Sequence, residues 1–163
     1  MPTTISNPRD LLVQMLGELL YVERRLAGGV LRNLIDAVTD EQLAAELRSH
    51  LAQTKEHVER CETAFRAIEV APSANHSRAF ESAVAEHDEL ASSIKAPRLA
   101  DVFHAQAALR TEHMEIALYT AVLAFGEANG FGDALALLRE SLADEHEARE
   151  VLDRDLGRLS EPG

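Results

Sequence analysis

Glu23, His57, Glu112, Glu115 and Glu145 all fall where helical spacing points inward. Carboxylates gathered with imidazole are the donors of a metal centre in a helical bundle. Glu23 interrupts an apolar face made by Leu12, Met15, Leu19, Val22, Leu26 and Val30. His50, Thr54 and His57 share the inward side of a second helix, with Gln53 at its edge. Glu112 and Glu115, three apart, share one face of a later helix, and Glu145 follows Leu138 and Leu142 at core spacing. A buried carboxylate is costly unless a cation, a proton or an arginine meets it. Oxygen and imidazole donors suit iron or manganese, which can then handle oxygen or peroxide. The strict dinuclear pattern, with Glu-x-x-His on two of the four helices, does not occur in the expected helices.

A second reading needs no metal. Arg149, always protonated, could sit among Glu23, Glu115 and Glu145 and supply the charge through a salt-bridge network. His57 is then either a nitrogen ligand or a core histidine bonded to a helix-mate or backbone. His50 reads as a structural hydrogen-bonder, and His113 and His146 as surface or interface residues. Tyr119 orients a carboxylate, serves as a redox phenol, or is simply buried with its hydroxyl satisfied. Cys61 reads as a small core residue. The sequence has no glycine-rich phosphate loop, Cys-x-x-Cys pair or Gly-x-Ser-x-Gly elbow.

The elements that must position these residues are helices. Asn7, Pro8 and Asp10 form a clear helix start, and Gly28 and Gly29 further along mark a close backbone approach or a local bend. Thr39 and Gln42 fit a reciprocal capping box for a helix running to Glu69. The segment APSANHS is a turn, a short helix covers about 77–95 with Phe80, Val84 and Leu90 as its contacts, and Pro97 interrupts it. Long helices follow over about 99–129 and 133–159, separated by NGFGD. The expected architecture is all-α, a ferritin-like four-helix bundle with a short extra helix in the crossover between two helical hairpins.

The chain has 163 residues, suited to a single domain over 1–163. Its 46% hydrophobic content is mostly Leu and Ala, the composition of packed helices. A net charge of -12 argues against a nucleic-acid partner and favours cations. No apolar run reaches ~18 residues, so no membrane span is expected. The N-terminus lacks the layout of a secretory signal, and the lone Cys61 cannot form an intrachain disulfide, so the expected location is cytoplasmic.

His50–Arg60 reads HLAQTKEHVER, and Glu112–Tyr119 reads EHMEIALY. With the short middle helix and the segment LLRESLADE, these stretches resemble the YciF-like family of bacterial ferritin-like stress proteins, related in fold to rubrerythrin. The likeness covers nearly the whole chain, and Glu-His-x-Glu-Ile-Ala-x-Tyr is its most specific part. The resemblance implies a homodimeric helical bundle induced under stress, without a well-established biochemical activity. It places metal carboxylates at Glu23, Glu112, Glu115 and Glu145. Gln53 stands where the family has Glu, Arg149 where it has Asp, and Tyr21 is offset by one from the family's tyrosine. The expected function is a stress-response protein with an iron or manganese site, oxidising ferrous iron if active and re-reduced by an external, unidentified electron donor. The alternative is a non-enzymatic oligomeric bundle, without metal, organised on Arg149. An iron-storage cage suits the fold, but the resemblance points to dimers.

Overall fold

The computed structural model describes residues 4–161. Helix α1 (Pro8–Arg25) begins as its cap predicts: the Asn7 side chain accepts from the Asp10 backbone N–H, and Pro8 occupies the first turn. It passes through a π turn (Leu26–Val30) into α2 (Leu31–Ala37). The Leu31 N–H reaches back five residues to the Leu26 carbonyl, and Gly29 leaves helical geometry at φ 174. A Cβ on Gly28 or Gly29 would meet nothing within 4 Å, so these glycines mark the bend and not a close approach. The turn shifts the inward face by one residue. Leu31 is buried where unbroken α-spacing predicts Val30, which is half-buried.

Helix α3 (Glu41–Ala67) is capped by Asp40, which accepts from the Leu43 N–H, and not by the expected Thr39–Gln42 box. The Thr39 hydroxyl and N–H both donate to the buried Asp101, while Gln42 donates to Asp155. The crossover then packs along α1: the Asn75 N–H bonds the Gly17 carbonyl at 2.8 Å, and a Cβ on Gly17 would clash with Asn75. Helix α4 (Arg78–Ala91) starts at a Ser77 cap, with Phe80 buried as expected. Leu90 is a correction, being 49% exposed. Pro97 opens α5 (Pro97–Ala128), and α6 (Leu138–Ser160) begins after a run of turns that replaces its predicted first residues.

The four long helices close into a ring, α1 on α3, α3 on α6, α6 on α5 and α5 on α1, with α5–α6 the most extensive pairing. Two apolar clusters fill it. One holds Leu12, Leu16, Phe65, Val122 and Leu138, and the other Leu26, Leu31, Leu43, Ala105 and Leu152. Along each helix the two clusters are met in opposite order on α1 and α3, and again on α5 and α6, as two antiparallel hairpins require. The inward residues between the clusters are polar. Among the described residues, no helix is long and apolar enough to cross a membrane.

Candidate metal centre

The layer between the clusters is where the chemistry lies. Glu23 on α1, His50 and His57 on α3, Glu112 and Glu115 on α5 and Glu145 on α6 are all buried. All five residues expected to ligate a metal meet here. Their donor atoms form two overlapping groups, each with atoms within 4.8 Å of one another: Glu23, His57 and Glu145; and His50, Glu112, Glu115 and Glu145. Glu145 belongs to both. His50, read from the sequence as inward-facing but as a structural hydrogen-bonder, belongs to the second group. Its Nε2 lies 3.2 Å from Glu112 and 3.8 Å from Glu145. The available signal was its spacing of seven from His57, two turns along one helical face.

His57 is held from behind. Its Nε2–H donates to Asp144 at 3.1 Å, and Arg60 donates to the same carboxylate oxygen at 2.8 Å. That leaves Nδ1 facing Glu145 Oε1 at 2.8 Å and Glu23 Oε1 at 3.5 Å. A histidine oriented by a carboxylate on its far nitrogen is the usual support of a metal ligand. Tyr119 donates its hydroxyl to Glu23 and so orients that carboxylate, one of the roles expected of it. Its hydroxyl also lies 3.9 Å from the buried Cys61 thiol. Thr54, three residues before His57, turns its hydroxyl back to the His50 carbonyl at 2.9 Å, so the Glu of a Glu-x-x-His pair has no counterpart there.

Among the described residues, much of the donor set finds no hydrogen-bond partner: both oxygens of Glu115 and Glu145, one each of Glu23 and Glu112, both nitrogens of His50, and His57 Nδ1. Several of these atoms approach closely without the alignment a hydrogen bond needs. Buried lone pairs left unmatched cost roughly 1–3 kcal/mol each, and here they converge on common spaces.

Without a cation, protons balance the charge. Burial, then the neighbouring carboxylates, push Glu112 and Glu115 well above the usual carboxylate range, and burial chiefly raises Glu23. Burial alone would keep His57 neutral. The closeness of the Glu145 and Glu23 carboxylates outweighs that and holds the ring protonated up to about 10. Glu145 is lowered because the two histidines overcome its burial. Burial lowers His50.

Arg149 takes no part. It pairs with Asp153 at 2.9 Å and Glu150 at 3.3 Å on the outer side of α6, which corrects the expected Arg149-centred network. Its long stem carries the guanidinium to water. Gln53 is half-buried beside His50. Tyr21 points away from the cluster and donates to Glu81 of α4 at 2.8 Å. His113 and His146 are exposed, as expected of surface residues.

The family described as a domain of unknown function, DUF892, matches residues 7–160. The chain belongs to that family. It is similar to protein YciF of Escherichia coli K12, 27% identical over 140 residues that cover 83% of this chain and 82% of the relative. The structure of YcfI from Rhodopseudomonas palustris matches at TM-score 0.90 and 29% identity, covering 94% of this chain and 97% of that one. The crystal structure of the Escherichia coli stress protein YciF matches at 0.88 and 24%, covering 95% and 98%. A two-domain protein from Anabaena variabilis, with DJ-1/ThiJ/PfpI-like and ferritin-like domains, matches at 0.66 and 18% over 94% of this chain and 37% of that one. The YciF-like resemblance and the ferritin-like fold read from the sequence are borne out.

Proposed function

We propose that this DUF892 chain is a YciF-like stress-response protein whose bundle holds two iron or manganese ions. Glu23, His57 and Glu145 form one position; His50, Glu112, Glu115 and Glu145 form the other. The observation that carries this reading is the support of His57: Asp144 and Arg60 fix its far nitrogen, while the near one faces two carboxylates and has no hydrogen-bond partner. The donor set also suits hard or borderline cations rather than soft ones. Such metals would supply redox chemistry toward ferrous iron, oxygen or peroxide. The chain's own part is to orient the donors through Tyr119 and Asp144 and to exclude water with the apolar clusters on either side. Homodimerisation, a cytoplasmic location and an external electron donor belong to the same proposal, on the strength of the family resemblance.

The test is metal per chain, measured on protein purified without a metal-binding tag and loaded anaerobically with ferrous iron or manganese. About two ions per chain are expected, falling below one in Glu145→Ala, which removes a donor from both positions. Glu115→Ala should bind about one. No bound metal in the parent chain would reject the proposal. It would favour a second reading, a metal-free structural bundle, for which the His57–Glu145 ion pair already supplies internal charge balance.

A further inference from the structure

A cavity of about 350 Å³ lies between the π turn, α2, α4 and α5. Its walls are mainly apolar, among them Leu26, Leu34, Phe80, Val84 and Ala108, and Glu112 of the carboxylate cluster lines it as well. Glu112 is 2% exposed, and its Oε2 has no hydrogen-bond partner. At about 30 Å³ per water the space would hold roughly ten. That is far more than a route for oxygen or peroxide needs, and it falls in the size range of small-molecule pockets, about 300–1,000 Å³.

Charge narrows the class of occupant. Arg25 is paired with Glu81 at 2.6 Å, Arg110 with Glu86 at 3.5 Å, and Asp88 with His87 at 3.1 Å. Glu112 already faces His50. Among the described residues, both arginines lining the cavity are thus paired with carboxylates and both acidic groups face a histidine, which favours a neutral ligand over an ionic one. The roof is α4, which packs on the bundle more sparsely than the long helices do. It is anchored through Tyr21 and Arg25 to Glu81, and through His87 Nε2 to His104 Nδ1 at 3.0 Å. A π turn in the opposite wall is a feature that recurs at functional sites.

We propose that this cavity binds a small neutral organic molecule, with an apolar body and one hydrogen-bonding group, beside the carboxylate cluster. What happens to the molecule there rests on the metal-centre reading; its binding does not, so the two are separable. The test titrates the metal-free full chain with N-phenyl-1-naphthylamine, an uncharged fluorophore with one N–H. Saturable enhancement with about one site per chain is expected. Affinity should fall at least tenfold in Ala83→Phe, which fills the cavity from the roof, and in Ala108→Phe, which fills it from α5. Circular dichroism should confirm that each variant keeps its helices. Non-saturable binding by the parent chain, or undiminished affinity in a folded Ala83→Phe, would overturn the proposal. In chain loaded with cobalt(II), the bound probe should shift the visible cobalt absorption, and an unchanged spectrum with the probe bound would overturn its placement beside the cluster. Cobalt that does not bind would count against the metal centre alone, since the fluorescence result stands without it.

Discussion

At the scale of single residues, two substitutions separate the supports of the cluster from its bystanders. Asp144 holds His57 from outside the donor set. Asp144→Asn should therefore leave the fold intact and weaken metal affinity by roughly 10–100-fold, the usual cost of losing such a partner. Competition against a chromophoric chelator measures it, and an unchanged affinity would show that His57 is not a ligand. Arg149 makes only ion pairs on the outer side of α6. Arg149→Ala should cost less than about 1 kcal/mol; a thermal melt showing several kcal/mol lost would return it to the role first expected. Four carboxylates and His57 were legible because residues three, four and seven apart on an unbroken helix share a face. Arg149 was not, since spacing predicts where a Cβ points but not where a long side chain ends. Asp144 and Arg60 escaped for a related reason: neither looks inward by spacing, and each gains meaning only from the helix opposite.

Among the elements, the start of α3 shows how a cap can double as a tie between distant segments. Asp40 caps α3 and also takes a two-pronged bond from Arg158 near the end of α6, at 2.7 and 2.8 Å. Arg158, chiefly, lowers the Asp40 carboxyl to about 2. A group whose folded value is depressed stabilises above its unfolded value, near 3.8, and loses that contribution as pH falls toward 2. Allowing for solvent screening, the contribution is about 1–2 kcal/mol. Asp40→Asn keeps a capping oxygen but has nothing to titrate. Its urea stability should thus fall less than the parent's between pH 4 and pH 2, and parallel acid limbs would refute this account. The helices themselves were readable from apolar spacing. Thr39 and Gln42 fitted a capping box locally, but Asp101 and Asp155, both remote in sequence, claim them in the fold.

Across the whole molecule, the polar layer divides the interior into two apolar halves and sets the conditions for stability. A ligand that binds only the folded chain adds about 2.7 kcal/mol at one hundred times its Kd. For a protein of this size that is roughly 5–10 °C in Tm. Manganese or ferrous iron should raise Tm by that amount and EDTA should reverse it, as scanning calorimetry would record. A Tm indifferent to both would leave the layer balanced by protons alone. The bundle and its ring of helices followed from composition and periodicity. The cavity under α4 did not: Gly28 and Gly29 hinted at the bend, but not at how loosely a short helix, remote in sequence, sits across it.

The π turn governs helical phase. An α-helix advances about 100° per residue, and the five-residue step from Leu26 to Leu31 inserts one residue beyond the usual repeat of four. Everything after it is rotated accordingly, which is how Leu31 and Leu34 come to face the core. Straightening this segment into an unbroken α-helix with every residue kept would turn both leucines about 100° toward solvent, whereas deleting one residue between Leu26 and Leu31 restores the four-residue step and leaves them inward. In this segment, then, the extra residue and the wide turn compensate each other: the phase of α2 survives the loss of both, but not of the turn alone.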